Sequence, residues 1–207
     1  MPDARAERSE SAAATLPPRT DHGLRRVLRA LHNEVEFLNL RLILANALAS
    51  VLPCLCFCRL RTALYRAAGF SIGARTLLLG KIEIIGPGRL QDRLRIGADT
   101  IVNAHCFFDL TGEIAIGDRV AIGHHTRFVT AEHQIGPAAL RAGPCTPRAI
   151  HIGNGSWLAA GVTILPGVTI GASSIVAAGS LVSGNVPPNR VVGGNPARAL
   201  HALSETP

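Results

Sequence analysis

Three features of the 207-residue sequence predict a mainly β fold, a three-sided parallel solenoid preceded by a helical segment. An aliphatic or aromatic residue recurs at every sixth position through most of residues 71–192. A small or β-branched residue stands four places after most of these anchors, and Gly or Ala often follows the anchor directly. A strand repeats at two and an α-helix at 3.6, so a period of six belongs to a larger object. Self-similarity at a fixed short period is the mark of a solenoid.

Counting by sixes from Ile72 gives Leu78, Ile84, Leu90, Ile96, Val102 and Phe108. After a slip of two residues the count resumes at Ile116, Ile122 and Phe128. After a longer interruption it resumes at Ile152, Leu158, Ile164, Ile170, Val176 and Val182. The residues four places on include Thr76, Thr100, Thr126, Ser156, Ser174 and Ser180. Each hexapeptide then supplies one short flat strand and one tight corner, and three supply a coil of about eighteen residues. Anchors point inward and stack on the next coil ~4.8 Å away, the spacing of neighbouring strands. Small residues at the corners let the chain turn without a Cβ clash.

Before the solenoid, residues 1–20 are polar, rich in Ala and Ser and closed by Pro17-Pro18, which predicts a disordered tail. Residues 21–70 read as helical. Asp21 is a candidate cap, and Leu24, Val27, Leu28, Leu31 and Val35 follow at helical spacing. From Leu42 to Cys58 no charge appears, a run at the lower limit of ~17–25 residues for a spanning helix. Asn46, Ser50 and Pro53 point instead to two helices broken near Pro53, lying on a membrane or packing on the rest of the protein. Gly69 is placed to end the second. An extended loop is expected over 134–149, and a C-terminal helix or cap over 193–207.

The formal net charge of +7 is uneven. Residues 37–71 carry Arg41, Arg59, Arg61 and Arg66 and no acid. A basic segment beside an apolar one suits an anionic membrane surface, so peripheral contact through 38–68 is expected. No Lys/Arg run is interleaved with aromatics, which argues against nucleic acid as a partner. The five cysteines are odd in number and no secretory h-region leads the chain, so a cytoplasmic protein is expected, at the inner face of the membrane. Cys54, Cys56 and Cys58 lack the spacing of a redox or zinc pair, and no metal is expected.

The segment Ile150–Arg198, "IHIGNGSWLAAGVTILPGVTIGASSIVAAGSLVSGNVPPNRVVGGNPAR", resembles the C-terminal signature of the hexapeptide-repeat acyltransferases. The resemblance is to the sugar and polysaccharide O-acetyltransferase branch, which includes galactoside, maltose and nodulation acetyltransferases, and it covers roughly residues 70–200. It implies a left-handed parallel β-helix, a homotrimer with active sites between neighbouring prisms, and acetyl-CoA as donor. By position it implies His133, in "FVTAEHQ", as the catalytic histidine and Asn103, in "IVNAHCFFD", as a catalytic and acceptor-binding asparagine. Asp109 lies beside the family's acidic acceptor position and is carried as substrate-binding. Coenzyme A positions fall on Trp157, Ala160, Ala178, Ser183, Gly184 and Arg198, with Arg190 a further candidate for the phosphates. The family's usual Thr-Lys is Ser183-Gly184 here, so its lysine charge is missing.

The chemistry suits such residues. A sugar hydroxyl is a weak nucleophile, and a neutral imidazole takes its proton and returns it to the leaving thiolate. A backbone N–H, that of Ala160 by position, is suited to the oxyanion. No Ser or Cys nucleophile is needed, because the thioester is already activated. The resemblance thus implies direct transfer of an acetyl or longer acyl group to a sugar or glycan hydroxyl. An antibiotic, an amino sugar or another small natural product stands as an alternative acceptor. A zinc carbonic anhydrase on the same solenoid needs two histidines five residues apart, and His105, His124, His125, His133 and His151 include no such pair. A non-catalytic scaffold is the third reading.

Overall fold

The computed structural model describes residues 38–203, with Gly23 and Val27 before them. The tail expected over 1–20, and the start of the helical segment apart from those two residues, lie outside the described residues.

The uncharged stretch forms two helices, α1 (Leu40–Ser50) and α2 (Cys58–Ala67), and Pro53 sits in the turn between them. Asn39 starts α1 by accepting a hydrogen bond from the Leu42 N–H. Gly69, at φ +103°, follows the end of α2 in a conformation that strains any residue with a Cβ. Leu42, Ala45, Ala49 and Tyr65 face inward. Arg61 is fully buried and donates to the carbonyls of Leu52, Pro53, Cys56 and Leu78. The helix pair is thereby tied to the first coil, and the turn's carbonyls are satisfied without water. Burial pushes the Tyr65 phenol up to about 12, so it stays protonated and donates to Asn46 Oδ1. Packing on the solenoid, one of the two readings left open for this segment, is thus what the inner helical face does. No helix among the described residues is long and apolar enough to cross a membrane.

The rest is a left-handed parallel β-helix of about six turns. Its first face carries Ser71–Ile72, Leu94–Ile96, Ile114–Ile116, Ile150–Ile152 and Thr169–Ile170. The second carries Leu77–Leu78, Ile101–Val102, Ala121–Ile122, Trp157–Leu158, Ile175–Val176 and Arg190–Gly194. The third carries Glu83–Ile85, Phe107–Asp109, Arg127–Phe128, Thr163–Ile164 and Leu181–Val182. Every anchor counted from the sequence is buried, and the register stacks anchor on anchor, as in Ile152 on Ile170 and Leu158 on Val176. Phe108 and Phe128 stack with centroids 4.8 Å apart.

The corners show why the small residues are there. Thr76 Oγ1 donates to the Gly97 carbonyl and accepts from the Thr100 N–H; Thr100 Oγ1 repeats the pattern with Gly117 and Val120. Buried hydroxyls thus stitch one coil to the next. Gly117 is needed for closeness rather than for its φ: a Cβ there would stand 2.2 Å from Asn154 Oδ1 in the next coil.

Three expectations are corrected. The count by sixes through Leu90 does not give an eighteen-residue first coil: Ile72 pairs with Ile96 and Leu78 with Val102. Leu90 is buried but begins a 3-10 turn, Leu90–Arg93, in an excursion that happens to preserve the phase. The extended loop 134–149 is largely a β-hairpin, Ala131–Ile135 against Ala142–Pro147. Of the C-terminal helix or cap, the described residues form no helix: Ala197–Ala202 is a strand that folds back antiparallel on Arg190–Gly194 as a cap.

Candidate active site

His133 stands in the middle of the first strand of the hairpin, exposed and opposite Cys145. Its Nδ1 lies 2.8 Å from the Gly143 carbonyl oxygen. A carbonyl only accepts, so Nδ1 carries a proton, and in the neutral ring the lone pair is on Nε2. The flanking Glu132 pairs with Arg148 at 3.4 Å across the base of the hairpin, and both are half-exposed. A surface pair of this kind contributes little stability.

Asn103 follows the strand Ile101–Val102 on the edge between the second and third faces. Its Nδ2 donates to the Ile122 carbonyl at 3.1 Å. Its register neighbours on the adjoining coils are Leu79 and Gly123, so it belongs to no asparagine ladder. Ala160 and Ala178 stand on the same edge, in later coils. Two residues past an anchor on the preceding edge, the Ala98 N–H donates to Asp118 Oδ1 at 2.7 Å and the Asp118 N–H to Asn154 Oδ1 at 2.9 Å, while those of Ala74, Asn154 and Ala172 meet no protein acceptor among the described residues. Ala160 and Ala178 occupy the equivalent position, and among the described residues their N–H groups meet no protein acceptor. This edge therefore offers unpaired donors to a ligand.

The other assigned residues fall into two groups. Ser183, Gly184 and Arg198 line one cavity of about 270 Å³ at the end of the prism, closed by the returning strand Ala197–Ala202. Trp157, 52% exposed, and Arg190 point outward from the second face.

From the sequence, Asp109 is expected on the acceptor. In the structure its side chain is buried and both oxygens are occupied. Oδ1 accepts from the Thr111 N–H and hydroxyl, and Oδ2 from the N–H groups of Thr130 and Ala131. Burial pushes the carboxyl up, but these four donors outweigh it and hold it below the ordinary carboxylate value. Gly143 is a residue the sequence did not mark. Only the cross-strand register of an irregular hairpin places its carbonyl against His133, and no local motif encodes that register.

His133 and Asn103 are rooted on different edges. The hairpin leaves the coil after Phe128, at the edge between the third and first faces, where Asp109 ends its strand and Ser183 follows Leu181–Val182. Asn103, Ala160 and Ala178 lie one face away, on the order of 15–20 Å at the strand rise of ~3.3 Å per residue. His105 and His125 stack at 5.2 Å on the edge with Asn103, and His124 stands edge-on to His125. Among the described residues no group of three His, Cys, Asp or Glu side chains converges as a metal site would require.

Comparison with known proteins follows the same lines. The bacterial transferase hexapeptide (six repeats) model matches residues 149–184. A hexapeptide-repeat acetyltransferase of Vibrio cholerae is 32% identical, with a TM-score of 0.69 over 78% of this chain and 88% of that one. The chain belongs to the hexapeptide-repeat acetyltransferases. A structure of such an acetyltransferase from V. cholerae O1 biovar eltor bound to acetyl coenzyme A is 28% identical, with a TM-score of 0.68 over 96% of this chain and 94% of that one. A maltose O-acetyltransferase of Clostridium difficile 630 is also 28% identical, with a TM-score of 0.70 over 86% and 89%. A galactoside O-acetyltransferase of Lactococcus lactis subsp. lactis is 34% identical over 94 residues, 45% of either chain. The chain spans about half the length of the curated relatives it matches.

Proposed function

We propose that the protein is an acetyl-CoA-dependent O-acetyltransferase acting on a hydroxyl of a sugar or glycan precursor. One observation carries the reading: the Gly143 carbonyl fixes the tautomer of His133 and leaves an exposed, basic Nε2 on the hairpin. His133 Nε2 takes the proton of the acceptor hydroxyl as its oxygen attacks the thioester carbon. The tetrahedral oxyanion meets the unpaired Ala160 N–H, and Asn103, two coils earlier on the same edge, holds the acceptor. The carbon–sulfur bond then breaks, and the imidazolium returns its proton to the coenzyme A thiolate. Trp157, Ala178 and the cavity of Ser183, Gly184 and Arg198 hold the rest of the coenzyme, with Arg198 and Arg190 supplying positive charge for its phosphates. No metal takes part.

His133 and Asn103 face one another only if the hairpin of one copy meets the Asn103 edge of another, so the working enzyme is a homotrimer with three sites between prisms. The test is release of free thiol from acetyl-CoA in the presence of galactosides, maltose, amino sugars and polyol natural products. The wild type turns over at least one sugar hydroxyl; turnover of an amine alone, or of none, sinks the reading.

The same reading places the enzyme at the inner face of a membrane. Leu40, Ile43, Leu44, Val51, Leu55 and Phe57 are all more than half exposed on the outward side of the helix pair. Residues 37–71 contain no acid to repel anionic headgroups. The full chain is expected to sediment with phosphatidylglycerol vesicles but not with phosphatidylcholine vesicles, and a Val51→Glu/Phe57→Glu variant with neither. Equal recovery with both lipids, or none, removes the membrane from the account.

A further inference from the structure

We infer that Asp109 and Thr130 form a buried clamp that positions the hairpin bearing His133, so that Asp109 governs turnover without touching either substrate. The inference rests on the proposed role of His133 and goes beyond it.

The hairpin is the longest departure from the coil among the described residues, and its tip is exposed. What holds its base is polar and buried. Asp109 is 4% exposed and Thr130 is 0%. Asp109 Oδ2 accepts from the N–H groups of Thr130 and Ala131, the two residues at which the chain leaves the third face. Ala131 starts the outgoing strand, two residues before His133. Thr130 Oγ1 donates to the Asp109 carbonyl at 2.6 Å and accepts from the Gly112 N–H at 2.7 Å. The returning strand is caught at the same point, because the Arg148 N–H donates to the Thr130 carbonyl at 2.9 Å. Outgoing and returning chains therefore meet at Thr130, and Asp109 is the acceptor that pins that residue to the coil before it.

The chemical logic is specific to a carboxylate. Two backbone N–H groups aim at one oxygen, and an N–H and a hydroxyl aim at the other. An amide offers only one acceptor oxygen, so Asp109→Asn sets its NH2 against a backbone N–H at one of the two places. A shift of even 1 Å at a catalytic group costs rate steeply, on the order of 10²-fold.

The experiment combines steady-state kinetics with amide hydrogen exchange on the full chain. Asp109→Asn and Thr130→Val are each expected to lower kcat about 10- to 100-fold, with KM for acetyl-CoA and for the acceptor unchanged. Thr130→Ser, which keeps the hydroxyl, retains wild-type turnover. Because both residues serve one clamp, the double variant loses no more than the worse single one. Exchange protection is lost over 131–147 and kept over 150–182. A rise in acceptor KM at unchanged kcat makes Asp109 a substrate ligand and overturns the inference, as does full turnover in both variants. Should Asp109→Asn fail to fold, Thr130→Val decides alone. The exchange pattern does not depend on activity, so an inert wild type condemns the proposed function while the clamp is still judged by protection.

Discussion

At the scale of single residues, the hydrogen bond from His133 Nδ1 to Gly143 decides the chemistry. In the neutral ring it puts the lone pair on Nε2 rather than on Nδ1. His133→Ala is expected to lower kcat/KM by ~10²–10⁴-fold, the usual range for a lost general base. Full turnover in that variant contradicts the mechanism. Asp109 shows the opposite use of a titratable group. Its folded pKa is depressed, so the ionised carboxylate stabilises the hairpin above the unfolded value of ~3.9. That contribution is lost as the pH falls through the folded value, and there wild-type hairpin exchange approaches that of Asp109→Asn.

Among the elements, the solenoid faces were legible because burial repeats with the fold. A residue that must point inward once per face leaves a mark every six positions, and all of the marked anchors are buried. The first coil was misjudged for a physical reason. Leu90 is buried and in phase, yet it belongs to a 3-10 turn outside the faces, and hydrophobicity alone does not separate these two kinds of burial. The hairpin and the C-terminal strand were missed because both pair antiparallel outside the coil, where no sixfold constraint acts. Asp109 is drawn toward the acceptor by its place beside the family's acidic position, and nothing in a sequence shows its four donors. The break between the helices was legible at Pro53, whereas the buried Arg61 that closes it was read only as part of a basic surface. Arg61→Met leaves the carbonyls of Leu52, Cys56 and Leu78 without their donor and that of Pro53 with the Cys56 N–H alone, and is expected to lower the unfolding free energy by about 3–5 kcal/mol in a denaturant titration. A loss below about 1 kcal/mol would show that water serves those carbonyls equally well.

For the whole molecule, the prism is a scaffold whose edges carry different parts of the proposed site. The edge between the second and third faces supplies Asn103 and the unpaired N–H groups of Ala160 and Ala178. The next edge supplies the hairpin with His133 and leads to the cavity of Ser183, Gly184 and Arg198. In the proposed function catalysis belongs to the assembly rather than to a chain, and this is the central claim. Subunit mixing tests it most directly. His133→Ala and Asn103→Ala chains are unfolded together, refolded as mixed trimers and assayed by thiol release with the best acceptor of the wild-type panel. Each variant alone is inactive. In random mixed trimers about one interface in four joins an intact His133 to an intact Asn103, so about a quarter of wild-type turnover is expected to return. A mixture no more active than its parents would mean that both residues act from the same chain, and would contradict the account.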